Sequence, residues 1–582
     1  MGDHIGPEEP LLGSRHRHDA DADDILSGDE TDSTNQSGLD PESQEGVQQA
    51  DAVNIVWSRS ALLLTYGFIF LNFCLHSMEA QTSSNLMPYV VSDFSAHSLI
   101  PAVGITSFVA SGVLKLPTAK MIDVWGRPQG LVVMTLLGTT GLFLMAVCRD
   151  VKTYAAAKIF HGVGASGFAY ILEIIIADTS SLKDRALALT FVGSPFLATT
   201  FLGPYAAQLF LRYSSWRVSF AVFAILTPVV AAPVFCILQS NTRKAERLGI
   251  LKRVKSERTW SEALRHHAVE FDAVGVTLAG AGLTLFLLPF SIAGSASSKW
   301  TSPSIICMIV LGGALTVAFV LYERYYAPRP FVPFQLLLSR NVIGAFVLSA
   351  ILFISYYCWD GYYTSYLQVV HQLTVSQAGY VANIFTMGAC IQGFVSGWLI
   401  RKTDRFKWLA LIAVPLNILG GGLMLIFRQP HTPVFYVIMC QVLISLGGGI
   451  LVTTQQLAVF SVAKHGEVAS LLALLALASA VGSGVGSSVS GAIWSNTVYA
   501  ELLRLLPDDT KDLADKIYEN LELQLSYPVG SPVREAIMQA YGIAQRRMVY
   551  AGLGFLLIAI PSVAVWKDIR VSQFKQVKGR VL

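Results

Sequence analysis

Charged side chains are scarce in this chain of 582 residues. Asp, Glu, Lys and Arg make up 14% of it, while 53% of the residues are hydrophobic and the mean hydropathy is +0.52. Soluble domains carry about 25% charged residues, so this composition excludes a soluble globular protein. The seven cysteines have no paired spacing, which excludes a disulfide framework and a cysteine metal site. A Gly-Lys-Ser or Gly-Lys-Thr phosphate loop is also missing, so an ATP-driven pump is not indicated.

Long apolar runs separated by short polar breaks fill most of the chain. A hydrocarbon layer of about 30 Å takes roughly 20 helical residues to cross. Because lipid offers no partners to backbone polar groups, these spans must be α-helices. We therefore expect an all-α membrane protein with about fourteen spans, at residues 60–78, 98–118, 129–148, 153–177, 187–211, 217–238, 272–291, 303–323, 341–359, 376–400, 408–427, 433–462, 468–493 and 548–566.

The charges are divided unevenly along the chain. Residues 1–57 carry fourteen Asp and Glu against two Arg, although the whole chain has a formal net charge of +3. The basic excess lies in alternate loops, most clearly in residues 239–271, and the positive-inside bias places these loops and both termini in the cytosol. The acidic tail is poor in aromatic residues, so we expect it to be disordered. No cleavable signal precedes the first span, which should direct insertion itself.

Two loops of similar design indicate internal duplication. Each has an acidic residue followed closely by basic ones, in residues 115–127 and in residues 397–407. Duplicated halves enclosing a central cavity are typical of secondary transporters. We expect a tail at 1–57, an N-terminal six-helix half at 58–238, a basic loop at 239–271, an inserted helix pair and linker at 272–340, a C-terminal half at 341–566 and a cytosolic tail at 567–582. The predicted cytoplasmic gate comprises Asp123, Gly126, Arg127, Asp404 and Arg405.

The first of these loops resembles the signature loop of the major facilitator superfamily, and Gly203-Pro204 resembles its antiporter helix pattern. A more specific likeness joins the segment 177–186 to Pro88-Tyr89-Val90, Trp216-Arg217 and Tyr357-Cys358-Trp359-Asp360. Together they resemble the fungal siderophore-iron transporter branch, over roughly residues 57–570. The resemblance implies a major facilitator fold of two pseudo-repeated halves, spans 1–6 and 9–14, and import of ferric siderophores with protons.

Ionisable residues inside spans are costly and therefore indicate function. The proton-coupling candidates are Glu173, Glu79, Lys158 and His161. Glu173 is the sharpest, because it has apolar residues on both sides; a structural bond to a basic residue is its alternative role. Lys158 stands where the superfamily pattern carries an arginine. His161 fits a proton relay or a bonded packing residue, and Glu79 fits a cavity carboxylate or a water-facing residue.

Aromatic and amide side chains supply the candidates for the substrate cavity, which are Tyr356, Tyr357, Trp359, Tyr363, Tyr366, Gln455 and Gln456. The aromatic cluster at the end of the ninth span fits either an interfacial belt or a wall for a bulky, amide-rich ligand. The two glutamines are uncharged donors and acceptors that suit a substrate amide.

The segment from residue 495 to residue 545 is too long for a simple hairpin. It carries amphipathic pieces and four tyrosines, Tyr499, Tyr518, Tyr527 and Tyr541. The resemblance implies an external lid that helps to capture the siderophore; a plain surface covering is the alternative.

We therefore expect a monomeric, multi-pass secondary transporter that imports ferric siderophore chelates by proton symport. The plasma membrane is the favoured location, with an endosomal or vacuolar membrane as the alternative. The proton is the coupling ion, no cofactor is expected, iron enters only as part of the substrate, and nucleic acid is not a partner. The alternatives are a drug/proton antiporter or glutathione exchanger of the same fold, or a transporter-like sensor.

Overall fold

The computed structural model describes residues 45–180, 193–251, 262, 266, 268–269, 271–293, 299–328, 339–462 and 468–570. The predicted acidic tail up to residue 44, much of the basic loop 239–271 and the last twelve residues lie outside this description. Within it the chain is helical, with one isolated bridge between Arg405 and Arg570.

The first half of the described chain runs from α1 to α8. Polar side chains begin several of these helices by accepting a backbone N–H, as Ser58 does from Ala61 (3.2 Å) and Asp150 from Thr153 (2.8 Å). The helices are α1 (Glu45–Val56), α2 (Arg59–Asp93), α3 (Ile100–Val113), α4 (Lys115–Trp125), α5 (Arg127–Val147), α6 (Val151–Thr179), α7 (Pro195–Tyr213) and α8 (Trp216–Arg247).

An inserted set of helices and the second half follow. The inserted helices are α9 (Ala273–Leu287), α10 (Pro289–Ile292) and α11 (Pro303–Tyr325). The second half has α12 (Arg340–Asp360), α13 (Tyr363–His371), α14 (Val375–Ala382), α15 (Ile384–Thr403), α16 (Lys407–Phe427), α17 (Val434–Phe460), α18 (Val468–Leu505), α19 (Ala514–Glu519), α20 (Leu521–Ser526), α21 (Pro532–Leu556) and α22 (Ala559–Ala564).

Twelve helices in the described ranges are long and apolar enough to cross a membrane. A thirteenth span would come from the bent pair His97–Val113 and Pro117–Trp125, whose axes differ by 43°. The predicted count of fourteen is not confirmed. Helix α7 stands at the predicted fifth span, but its 19 residues include Gly203-Pro204, Gln208 and Arg212, and it is not among the apolar spans.

Helix packing builds two bundles, one in each half. We call the contact between them, made by α3 with α18 and by α7 with α14, the seam. In the first half α5 packs on α6 and α8, and α2 packs on α7 and α8; in the second, α12 packs on α18 and α16 packs on α17. Helix α3 crosses to α18, and α7 crosses to α14. The inserted helix α9 touches both α3 and α18, so it lies beside the seam rather than within either bundle.

Two segments differ from the boundaries that the sequence indicated. Residues 45–56, placed in the disordered tail, form helix α1. The segment 495–545 was expected as an external loop with amphipathic helical pieces; it is largely helix, and its ends belong to long helices, because α18 continues to Leu505 and α21 begins at Pro532. Only residues 506–531 connect these two helices; we call them the lid segment.

Candidate functional site

Four titratable side chains from α2 and α6 lie together in the first half. The Glu79 carboxylate and the His161 imidazole form an ion pair, with Oε2 and Nε2 3.2 Å apart. Both are buried, with 3% and 9% of their surfaces exposed. His76 precedes Glu79 by three residues and Lys158 precedes His161 by three, so each pair shares one helix face. His76 and Lys158 lie within electrostatic reach of the Glu79 carboxylate.

A small cavity opens beside this ion pair. Its volume is about 30 Å³, which is room for a water molecule, and its lining includes His76, Glu79, His161 and Thr227. Within the described residues, Glu79 Oε1 and His161 Nδ1 have no hydrogen-bond partner. A buried carboxylate with one unpartnered oxygen beside a cavity of this size could exchange a proton with a water molecule placed there.

His76 was not among the residues predicted from the sequence. The signal was present, because a histidine three residues before an intramembrane glutamate lies on the same helix face. Helix α2 was instead expected to end at residue 78, which left Glu79 at the outer end of a span. The helix continues to Asp93, so both residues lie well inside it.

Glu173, the sharpest candidate from the sequence, lies apart from this cluster. It is twelve residues beyond His161 on α6, about 18 Å along the helix, and its side chain is exposed. Lys115 is the basic residue whose charge reaches it, and no ion pair of Glu173 is found within the described residues. The structure therefore separates Glu173 from the other three candidates, Glu79, Lys158 and His161.

The predicted gate residues Asp123 and Arg127 are in contact at one end of the first half. Arg127 Nη1 lies 3.3 Å from Asp123 Oδ1, and Arg127 Nε lies 3.0 Å from Asp178 Oδ2 on α6. Gly126, between α4 and α5, has a φ of +100°, a conformation that glycine adopts most readily. In the second loop, Arg405 pairs with Asp568 at 2.6 Å, and Asp404 ends α15 in a left-handed conformation.

The second half contains a larger cavity walled by aromatic rings. Its volume is about 220 Å³, and its lining includes Tyr356, Tyr357, Trp359, Phe385 and Asn417. The Tyr356 ring lies 5.1 Å from Trp359 and 4.9 Å from Phe385. Tyr357 meets Phe108 of the first half at 4.7 Å, so this wall reaches the seam between the halves. Three of the predicted cavity residues, Tyr356, Tyr357 and Trp359, therefore do line a cavity.

The other two predicted aromatic residues, Tyr363 and Tyr366, surround a buried arginine instead. The Arg428 guanidinium lies 4.2 Å from the centre of the Tyr363 ring and 5.1 Å from those of Tyr366 and Trp359. Arg428 is 1% exposed, and the charge of Asp360 acts on it. An interfacial belt needs rings that face lipid, whereas Tyr363 and Tyr366 are fully buried.

Arg428 was missed because it directly follows a span and precedes Gln429-Pro430-His431, a context typical of an ordinary loop cation. The two predicted glutamines of α17 differ from each other. Gln455 is buried, with its Oε1 unpartnered among the described residues, whereas Gln456 is exposed.

The lid segment bridges the two halves. On the first half, Glu519 accepts hydrogen bonds from Ser98 N (3.0 Å) and Ser98 Oγ (2.7 Å), and Leu521 N donates to Ser92 Oγ at 3.0 Å. On the second half, Arg534 of α21 donates to the carbonyl oxygen of Gln524 in the lid segment and to that of Val369 (2.8 Å). Burial raises the pKa of the Glu519 carboxyl, and the bonds from Ser98 oppose that rise.

The tyrosines predicted to form the lid pack inward. Tyr541 is fully buried, donates its hydroxyl to Gln524 Oε1 at 2.7 Å, and meets Trp494 edge to face at 5.0 Å. Tyr518 meets Tyr499 at 5.7 Å. Tyr527 packs against the apolar core cluster that contains Trp494, Tyr518 and Tyr541. In this arrangement Tyr518 and Tyr541 hold the lid segment in place and present little surface to a ligand.

Among the described residues, no group of three or more His, Cys, Asp or Glu could hold a metal ion.

A family model for the major facilitator superfamily matches residues 69–487.

Three curated relatives cover nearly the whole chain. "MFS siderochrome iron transporter 1" of Ajellomyces capsulatus is 43% identical over 97% of this chain and 95% of its own length. "MFS siderochrome iron transporter D" of Aspergillus fumigatus is 45% identical, with coverage of 92% and 90%. "Siderophore iron transporter mirB" of Emericella nidulans is 42% identical, with coverage of 92% and 89%.

Solved structures support the fold at lower identity. A bacterial homologue of the human lysosomal transporter Spinster, in an inward-facing and unoccupied conformation, superposes with a TM-score of 0.53 at 13% identity, covering 88% of this chain and 98% of that one. A peptide transporter POT in complex with sulfate gives 0.52 at 15% identity, covering 86% and 96%. At these identities the likeness concerns the fold alone.

Proposed function

The chain belongs to the major facilitator superfamily, in its fungal siderophore-iron transporter branch, and from this we propose that it imports ferric siderophore chelates by proton symport. We place the lid segment on the outer face of the plasma membrane. The inside-negative potential then supplies about 2.3 kcal/mol per charge per 100 mV. The observation that carries the coupling is the buried pair of Glu79 and His161 beside a cavity with room for a water molecule.

Glu79 is the better proton carrier of the two predicted carboxylates. An uncompensated buried carboxylate is costly, while one paired with an imidazole is stabilised. Taking up a proton at Glu79 weakens its attraction to His161 and removes a charge that ties α2 to α6. Glu173 lacks an ion pair within the described residues and lies exposed, so its protonation would release no comparable contact.

The aromatic cavity of the second half is the proposed site for the chelate. Ligand pockets commonly measure about 300–1,000 Å³, and this cavity of about 220 Å³ is smaller. Binding therefore requires the halves to move apart, which agrees with alternating access. Tyr356, Tyr357 and Trp359 would offer apolar area together with hydroxyl and indole donors. Iron would stay within the chelate, so the carrier needs no metal ligand or cofactor of its own.

Uptake of radioactive iron bound to defined siderophores tests this function. The full chain is expressed in cells without their own importers, at pH 5 to 7, with and without a protonophore. We expect accumulation that rises as the outside becomes more acidic and collapses with the protonophore. Undiminished uptake without a proton gradient would exclude symport, and efflux of preloaded chelate would favour the exporters.

A variant pair tests the coupling residue. Glu79→Gln keeps the shape of the side chain but cannot release a proton, so we expect accumulation to fall at least tenfold. Exchange of labelled for unlabelled chelate across the membrane should persist, because exchange needs no net proton movement. Glu173→Gln is the matched control and should accumulate normally. The reverse pattern would assign the proton to Glu173.

A further inference from the structure

Helix α1 is bound across one end of the first half by hydrogen bonds to α5, α6 and α8. The Gly46 carbonyl oxygen accepts from Arg127 Nη1 at 3.1 Å. Three further bonds connect α1 to α6 and α8: Gln49 Nε2 to Thr242 Oγ1 (3.0 Å), Asn54 Nδ2 to the Asp178 carbonyl oxygen (2.9 Å) and Lys244 Nζ to the Val56 carbonyl oxygen (3.2 Å). Three helix ends are thus joined through one short helix.

The contact at Gly46 is a close approach between backbones. A Cβ atom at this position would lie 2.5 Å from the Ile122 carbonyl oxygen and 2.6 Å from that of Asp123. Ordinary contacts between such atoms are about 3.5 Å or longer. Glycine in a helix is about 1 kcal/mol less favourable than alanine, so local helix formation argues against this residue. The packing of α1 on α4 accounts for its presence.

Helix α4 is set at an angle to the helix before it and separated by a glycine from the helix after it. It is bent by 43° from the helix before it, and Gly126 separates it from α5. It also contacts α18 of the second half. Met121 and Ile122 of α4 pack in the apolar core of the first half, and Lys115 Nζ lies 5.6 Å from the centre of the Tyr170 ring. Arg127 adds polar bonds to this attachment, because it pairs with Asp123 and Asp178 and reaches the Gly46 carbonyl oxygen.

We propose that α1 is a positioning arm for Arg127, which fastens α4 to α6 and α8 so that the whole end moves as one body against α18. The proposal rests on the transport function proposed above, because movement between the halves gives the arm its role. Loss of the arm should leave the aromatic cavity unchanged and slow the movement. Turnover should therefore fall, while the apparent affinity for the chelate stays the same.

Gly46→Ala is the decisive variant. A free surface helix would tolerate or favour alanine, whereas a docked arm cannot accommodate it. We expect backbone hydrogen exchange in residues 117–130 of the purified full chain to become at least tenfold faster. In cells, the maximal uptake rate should fall at least threefold, with KM within twofold of the wild type. Gly67→Ala on α2 is the matched control, because a Cβ there meets nothing within 4 Å.

A double-mutant cycle tests whether the arm acts through Arg127. In an Arg127→Lys background, Gly46→Ala should slow uptake much less than it does alone. Equal losses in both backgrounds, or unchanged exchange in Gly46→Ala, would overturn the proposal. If Gly46→Ala fails to accumulate in the membrane, Gln49→Ala decides: it removes the bond to Thr242 without a clash and should speed exchange in the same segment.

The exchange measurement separates this proposal from the proposed function. Should the wild type transport no siderophore, the function fails, yet faster exchange in Gly46→Ala would still establish the arm. Should the wild type transport normally and exchange stay unchanged, the arm fails alone.

Discussion

Substituting Gly379 with alanine should loosen the seam between the halves at the end of the molecule where the lid segment lies, which we call the lid end. Gly379 on α14 packs against α7, where an added Cβ would lie 2.5 Å from Pro204 Cβ. The proline ring is fixed within a helix and cannot rotate away. Overpacking of this kind costs about 1–3 kcal/mol, which corresponds to a shift of about 5- to 150-fold in an equilibrium. The penalty falls only on the closed arrangement, in which α7 and α14 touch. The open arrangement, in which they separate, therefore gains population.

Labelling of a cysteine at Ser376 measures that shift. Ser376 is 8% exposed in the closed seam, and its backbone N–H donates to Gln208 Oε1 at 3.2 Å, a bond that Ser376→Cys retains. We expect a membrane-impermeant maleimide to label this cysteine at least fivefold faster in Gly379→Ala. Gly397→Ala on α15 is the matched control, since a Cβ there meets nothing within 4 Å.

The outcome that would refute this reasoning is an unchanged labelling rate in a Gly379→Ala protein that melts at the wild-type temperature. It would mean that the α7 and α14 contact does not limit opening. The native cysteines can also react with the maleimide. This background labelling is measured in the same glycine variants with Ser376 intact.

Three further predictions concern the lid segment, the buried arginine and the aromatic cavity. Burial raises the pKa of the Glu519 carboxyl, so the docked lid segment binds a proton more readily than a free one; docking should weaken as pH rises through that raised pKa. Hydrogen-exchange protection of the lid segment should accordingly fall with pH in the wild type and stay level in Glu519→Gln; equal pH dependence in both would contradict this. Arg428→Leu removes the buried cation on which the charge of Asp360 acts, and should lower the melting temperature. Adding Asp360→Asn should restore part of the loss, and strictly additive losses would disprove the coupling. Tyr357→Ala should raise the KM for uptake at least threefold, and an unchanged KM would remove Tyr357 from the binding wall.

Span positions were predictable because each helix carries its own signal. About 20 apolar residues specify a membrane helix without reference to the rest of the chain. The count was less secure where a helix has polar residues or is bent, as in α7 and the pair α3 and α4. Helix α1 was missed for a related reason. Its residues resemble the acidic tail in composition, and its stability comes from distant contacts such as the bond between Gln49 and Thr242, 193 positions apart.

The sequence indicated which kinds of residue form the site, but much less clearly which of them are in contact. A glutamate or a histidine inside a membrane span is costly in lipid, so each is recognisable from the sequence as a candidate site residue. Their pairing across α2 and α6 depends on helix rotation, which the sequence does not specify. Glu173 shows the converse, since the same signal led to a residue outside the cluster. Arg428 gave no such signal, because it directly follows an apolar run and becomes buried only through tertiary packing.

The seam at the lid end is held by several hydrogen bonds, which the proposed symport must break. Three cross it from α2 and α7: Tyr89 with Gln368, Ser376 N with Gln208 (3.2 Å) and Asn383 with the Thr200 carbonyl oxygen (3.2 Å). The Tyr362 hydroxyl adds a bond to the Ser98 carbonyl oxygen (2.6 Å), and the lid segment adds its bonds to Ser92 and Ser98. Each contributes about 0.5–1.5 kcal/mol net, so together they exceed the about 2.3 kcal/mol that one charge gains per 100 mV. Under the proposed symport, the contacts of the bound chelate would therefore have to supply the remainder.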